Sequence, residues 1–186
     1  MALDDNLRWL LSFYRTSEIS GALFFGHLAR TLRPSANQRD MTRHFAEEAQ
    51  HARYWTECLE RLGSEPLKLG PAYQDQYAAA AGMPVNLMEV LAITQVFERR
   101  VICQYALHLR LSDLDAPIAE TLARIMKDEQ WHLEWVRAAL ERMENEYGRE
   151  EIEATLHRFT EADRLVYRNA VLEHGERIDR LMFARR

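Results

Sequence analysis

Two four-residue stretches, Glu48-Ala49-Gln50-His51 and Glu129-Gln130-Trp131-His132, repeat one pattern 81 positions apart. In each, a carboxylate and an imidazole stand three residues apart, which on a helix puts both on one face, a single turn from each other. Each stretch also follows a second glutamate at nearly the same distance. Glu18 lies 30 residues before Glu48, and Glu98 lies 31 before Glu129. With 20 glutamates and seven histidines in the chain, chance supplies roughly three-quarters of one Glu-x-x-His pair, so a single match decides nothing. Two matches, each on an apolar stripe and each preceded by a level-matched glutamate, point to a built site.

The apolar periodicity around these residues predicts helices. Leu7, Leu11, Tyr14, Glu18, Ala22 and Phe25 recur at three- and four-residue steps, giving a first helix over residues 7–32. After a break at Arg33-Pro34-Ser35-Ala36-Asn37, a second is predicted over 38–62 and stopped by Gly63. Its inner stripe is Met41, Phe45, Glu48, His51, Ala52, Trp55 and Leu59. Residues 63–86 hold three prolines and three glycines and form the one long connection, with a helical turn expected within 73–81. At ~3.3 Å per extended residue such a segment can run the length of a bundle, so the third helix can lie parallel to the second.

The third helix, over 86–111, opens on Asn86 with Glu89 three residues on and carries Val90, Thr94, Glu98, Ile102 and Tyr105 inward. Pro117 opens the fourth, which passes through Ile125, Glu129, His132, Val136 and Leu140 and stops at Gly148. A fifth, more charged helix is expected over 149–183, broken near Gly175, on the outside of the bundle or in a subunit contact. Residues 1–147 therefore make the bundle, and 148–186 a C-terminal helix added to it. Counted from the two short breaks at ~1.5 Å per residue, Glu18 and Glu48 meet at roughly one level, as do Glu98 and Glu129. One helical hairpin is used twice.

The bulk composition agrees with a single domain. The chain has 186 residues, is 47% hydrophobic and 28% charged, and carries a net charge of −5, which gives no reason to expect a nucleic-acid partner. Cys58 and Cys103 form no CxxC and read as buried free thiols, against a disulfide scaffold or a cysteine metal site. The acidic start, Met1-Ala2-Leu3-Asp4-Asp5, is unlike a signal peptide, and no apolar run approaches the ~18 residues needed to span a bilayer. A cytoplasmic protein without a membrane partner is expected.

Four carboxylates buried together without compensation would cost several kcal/mol each, with mutual repulsion added. Two divalent cations bring the charge that neutralises them while the histidines stay neutral. Carboxylate oxygen with imidazole nitrogen suits iron or manganese and leaves positions open for further ligands.

One glutamate from each of two helices, with Glu-x-x-His from each of the other two, is the motif of ferritin-like di-iron carboxylate proteins, which residues 5–147 resemble. The resemblance implies an all-α fold: a ferritin-like four-helix bundle with one long crossover, from helix 2 to helix 3, and a fifth C-terminal helix. It implies that Glu48 and Glu129 bridge two metals, that Glu18 and Glu98 are terminal ligands, and that His51 and His132 each bind one ion. These six would be the catalytic residues as well. Asp128 matches a carboxylate that bonds a ligand histidine's far nitrogen, and Glu47 takes the equivalent place in the other half. Two iron ions, or a manganese–iron pair, are the implied cofactors. Dioxygen, a small organic substrate, an external electron donor and a second copy in a homodimer are the implied partners.

The implied activity is that of an oxidase or oxygenase. Ferroxidase-type iron handling is the rival, since bacterioferritin has this ligand set at very similar spacings. Its haem-ligating methionine, however, would fall on Ala49, and the fifth helix here is far longer than a cage-forming ferritin's. A rubrerythrin-like peroxidase is disfavoured. Thr94, Gln95, Val101 and Ile102 stand one turn from Glu98, where rubrerythrins carry an extra glutamate, and the CxxC iron domain is absent.

The remaining candidates receive plainer readings. Tyr14 and Tyr105 are expected as core tyrosines with bonded hydroxyls. Trp131 and Trp135 are expected to face away from Glu129, toward the fifth helix or a second subunit. His27, His44, His108, His157 and His174 are expected at the surface. Arg177, Arg180, Arg185 and Arg186 read as a solvated basic helix end.

Overall fold

In this computed structural model, residues 3–70, 73 and 75–183 are described, and they form six α-helices and no strand. These are α1 (Asp5–Thr31), α2 (Ala36–Arg61), α3 (Asp75–Ala81), α4 (Leu87–His108), α5 (Ala116–Tyr147) and α6 (Arg149–Phe183). Arg185 and Arg186, read as part of a basic helix end, lie outside the described residues.

The helix starts follow local chemistry. Asp4, Ser35 and Asn86 each accept a hydrogen bond from a backbone N–H of the first turn of α1, α2 and α4, at 3.1, 3.1 and 2.9 Å. Glu89 reaches back to the Val85 N–H at 3.1 Å. Asp115 makes no such bond; there Pro117 pre-sets the first turn of α5. A single residue, Gly148, separates α5 from α6 at φ 82°, a backbone state that glycine adopts without steric cost.

The count is six helices rather than five, because the long crossover carries the seven-residue α3 where one turn was expected. Its reason lies on α6: the Tyr73 and Tyr77 hydroxyls both donate to Asp163, which also takes the Arg100 guanidinium. The C-terminal end of α4 falls short of expectation. It stops at His108, and Arg110 and Leu111 turn back onto the Leu107 and His108 carbonyls. α6 departs from helical angles at His174 (φ −124°, ψ 18°), one residue before Gly175.

α1 packs on α2 and α4 on α5, and the two hairpins meet through α2 and α5. α6 lies along α4 and reaches α1, α3 and α5. No Cα pair of α1 and α4 comes within 8 Å, so the fourth side of the assembly is open and α3 and α6 lie across it.

The apolar core is in two parts. One contains Phe25, Met41, Leu91, Val136 and Phe159; the other contains Leu11, Trp55, Leu59, Ile118 and Ile125. Each of α1, α2, α4 and α5 contributes to both parts and carries its glutamates and histidines between them. The result is a polar layer at mid-height, sealed above and below by apolar side chains. Such a layer is costly unless its charges are compensated.

Candidate metal centre

All six residues singled out by the repeat lie in that layer and are buried: Glu18, Glu48, His51, Glu98, Glu129 and His132. They form two groups. Glu18, Glu48, His51 and Glu129 offer ligand atoms mutually within 4.8 Å, and so do Glu48, Glu98, His132 and His44. Glu48 belongs to both. Glu129 also spans them, with Oε1 3.3 Å from His51 Nδ1 and Oε2 3.3 Å from His132 Nδ1. Of the histidines, Glu18 faces His51, at 3.5 Å from Nδ1, while Glu98 lies 3.8 Å from His132 Nδ1. The arrangement has two central carboxylates and one at each end.

The histidine rings are aimed by carboxylates behind them. His51 Nε2 is 3.1 Å from Asp128 Oδ2, and His132 Nε2 is 3.1 Å from Glu47 Oε2. Each bond crosses between α2 and α5, and each acceptor directly precedes a central glutamate in sequence. A proton held at Nε2 by these acceptors leaves Nδ1 as the ring atom that faces the four glutamates.

The electrostatics describe a site built around positive charge. Burial, then the charges of Glu18, Glu98 and Glu129, push the Glu48 carboxyl well above its ordinary range. Burial alone would lower His51 and His132, yet the surrounding carboxylates overrule it and raise both rings. The His51 hydrogen bond depresses Asp128, and Glu47 is lowered, against its own burial, by His132 and Arg43. The surrounding glutamates thus favour positive charge at this layer. His51 Nδ1 and Glu129 Oε1 are buried with no hydrogen-bond partner. Two divalent cations between them would satisfy both atoms and neutralise four carboxylates. The donor set therefore fits a metal pair.

Position 21 leaves room for the Glu48 carboxylate. A Cβ there would fall on Glu48 Oε2 and stand 3.2 Å from Glu48 Cδ, so the absent side chain is what lets this carboxylate sit between the helices.

Sequence reasoning missed one residue of the cluster. His44 is completely buried, not at the surface; its Nε2 lies 3.1 Å from Glu98 Oε1 and 3.4 Å from Glu48 Oε1. Its ring is sandwiched between Phe25, at 3.9 Å, and His132, at 3.6 Å. The Trp135 indole N–H, a donor only, points at His44 Nδ1 from 3.3 Å, which places the ring proton of neutral His44 on Nε2, toward the glutamates. Burial first, and then His132, lower the ring to about 4, so His44 is neutral at pH 7. The available signal was its four-residue step to Glu48. Phe45, placed on the inner stripe, is instead partly exposed and packs against Gly26. Trp135 points into the bundle at His44, whereas Trp131 lies under the Arg43 guanidinium, 3.5 Å from the ring centroid.

Other readings divide. Tyr105 donates to Glu18 Oε1 and accepts from the Trp55 indole at 3.2 Å, tying one end of the site to the part of the core that contains Trp55. Tyr14 is buried, but its hydroxyl has no partner. His108 is also fully buried rather than at the surface, and Cys103 is exposed rather than buried. His27 and His157 are exposed, and the His174 ring rests 4.5 Å from Trp9.

A cavity of about 300 Å³ fills the gap between α1 and α4 and reaches Glu18, Glu48, Glu98 and Glu129. None of the histidines lines it. The carboxylates thus have a protein-facing side, closed by imidazoles, and an open side toward the cavity. No protein-family model matches the chain, and a search of curated proteins finds no match.

Proposed function

We propose that the protein is a ferritin-like, non-haem di-iron or manganese–iron oxidoreductase that uses dioxygen to oxidise a small organic substrate. The observation that carries this reading is the cavity: a largely apolar space, open at the crossover, meets the four carboxylates on the side that the histidines leave open. A site for iron passage alone has no use for an apolar chamber of that size beside its ligands.

The chemistry supplied by a bound metal pair is electron transfer to dioxygen, which no side chain provides. The chain's own residues hold and shape the site. Glu48 and Glu129, the two central carboxylates, would be shared by the pair, Glu18 and Glu98 would each serve one end, and His51 and His132 would each hold one ion. Asp128 and Glu47 fix the orientation and tautomer of the two rings. Tyr105 holds the Glu18 carboxylate in place, and the His44 N–H faces the Glu98 carboxylate. Phe24, Phe97 and Ile93 exclude water from the open side, which strengthens every charge interaction within it.

The experiment is anaerobic loading with ferrous iron followed by admission of dioxygen. Wild-type protein is expected to bind about two irons per chain and consume dioxygen. Glu48→Ala is expected to lose both properties. Unchanged metal content and oxygen consumption in that variant would refute the assignment.

A further inference from the structure

We propose that the cavity binds an unbranched, uncharged aliphatic chain, laid along the bundle axis across the four carboxylates. The proposal rests on the reading of this centre as substrate-oxidising and goes further by naming the shape and charge of what enters.

Shape comes first. The α1 residues that line the cavity run from Leu10 to Phe25, and those of α4 from Ile93 to Tyr105. At ~1.5 Å per helical residue, these walls are ~22 and ~18 Å long. A volume of about 300 Å³ spread over such a length is narrow. Drawn out along those walls, the space suits an elongated occupant better than a compact one of the same volume. A flexible chain fits that space, whereas a cage or a fused-ring system of the same atom count is too wide. Glu18 and Glu98 fall near the middle of their walls, so a chain occupying the slot presents an interior carbon to the metal ligands.

Charge comes next. Among the described residues, Arg100 is the one cationic member of the lining, and it is already engaged: it forks onto Asp163 through Nε and a terminal nitrogen and lies 4.0 Å over the Tyr167 ring. Asp163 in turn takes the Tyr73 and Tyr77 hydroxyls. A substrate carboxylate drawn into the slot would therefore meet uncharged donors such as the Tyr14 hydroxyl but no cationic side chain left free to neutralise it. Much of the remaining wall, including Phe13, Phe24, Ile93, Phe97 and Val101, is apolar, with Ser17, Ser20, Gln104 and the tyrosines as its uncharged polar members.

The entrance is at the crossover. Asp75, Gly82 and Met83 are the exposed members of the lining, and Met83 is 66% exposed. Methionine, unbranched and polarizable, makes an adaptable apolar doorway.

The test is calorimetric titration of the full-length protein, kept anaerobic, with its metal content counted beforehand. Three C10 ligands are compared: 1-decanol, decanoate and 2-adamantanol. 1-Decanol is expected to bind at least about ten-fold more tightly than either other ligand. Ala170→Phe, which narrows the slot from α6 without touching a carboxylate, is expected to weaken 1-decanol binding by a similar factor while metal content is unchanged. Equal or tighter binding of decanoate or 2-adamantanol, or no binding of 1-decanol, overturns the proposal. The two readings separate cleanly. A metal-free protein that still prefers 1-decanol keeps the chain site and refutes the metal centre, and a two-metal protein without that preference does the reverse.

Discussion

Asp128 Oδ2 lies 3.1 Å from Nε2 of His51, across the interface between α5 and α2. The mirror-image bond joins Glu47 to His132 at the same distance, so each Glu-x-x-His helix supplies the carboxylate that aims the other helix's histidine. Each half of the site is therefore incomplete without the other, and metal binding should be coupled to docking of the two hairpins.

These two carboxylates give separable effects. Asp128→Asn should weaken metal binding at the His51 side and Glu47→Gln at the His132 side, each by about 10–100-fold. Competition with a graded series of chelators measures both. Each variant should lose one ion well before the second, and simultaneous loss would show that the two positions are not distinct.

Position 21 tests the bridging role of Glu48 without altering a ligand. Gly21→Ala should favour the helix by about 0.5–1 kcal/mol, yet its methyl group takes the space of the Glu48 carboxylate. The metal-free variant should melt at or near the wild-type temperature. The rise in melting temperature on adding metal, however, should largely vanish. A full metal-induced rise would mean that Glu48 is not needed where it sits.

How far the sequence reveals this site follows from what a helical period can encode. Glu18, Glu48, His51, Glu98, Glu129 and His132 interrupt apolar stripes at fixed steps, so their meeting in one layer is legible. His44 and Phe45 differ by one residue, about 100° of helix rotation. Which of them turns inward depends on Gly26 of α1, which admits the Phe45 ring, and on Trp135 of α5, which receives His44. Neither partner is visible from the α2 stripe alone. The cavity is less legible still. It exists because α3 and α6 lie across the gap between α1 and α4, a relation among segments distant in sequence.

The His44–Trp135 pair provides a double-mutant test. His44→Phe keeps the ring stack but leaves the buried Trp135 N–H without an acceptor, a loss of about 1–3 kcal/mol. Adding Trp135→Phe should recover part of that loss, since removing both partners costs less than orphaning one. Chemical denaturation of the metal-free proteins measures the coupling. Strictly additive effects would argue against the bond.

His108 predicts an acid-sensitive stability that does not involve the metal site. Burial lowers its ring to about 4, and neither ring nitrogen has a hydrogen-bond partner. Its unfolded value is about 6.5, so below that pH the unfolded chain binds a proton that the folded chain refuses. Stability is lost as pH falls from about 6.5 to about 4, by about 3 kcal/mol in total. His108→Leu should remove that part of the pH dependence while leaving the rest. Parallel curves for the two proteins would refute the account of His108.

The most direct measurement is the number of metal ions per chain, by elemental analysis of the purified protein, alongside its melting temperature before and after chelation. The account predicts about two iron or manganese ions per chain, and a marked fall in melting temperature once they are removed from between the four glutamates. A protein that carries no metal, and whose melting temperature a chelator does not move, would contradict it.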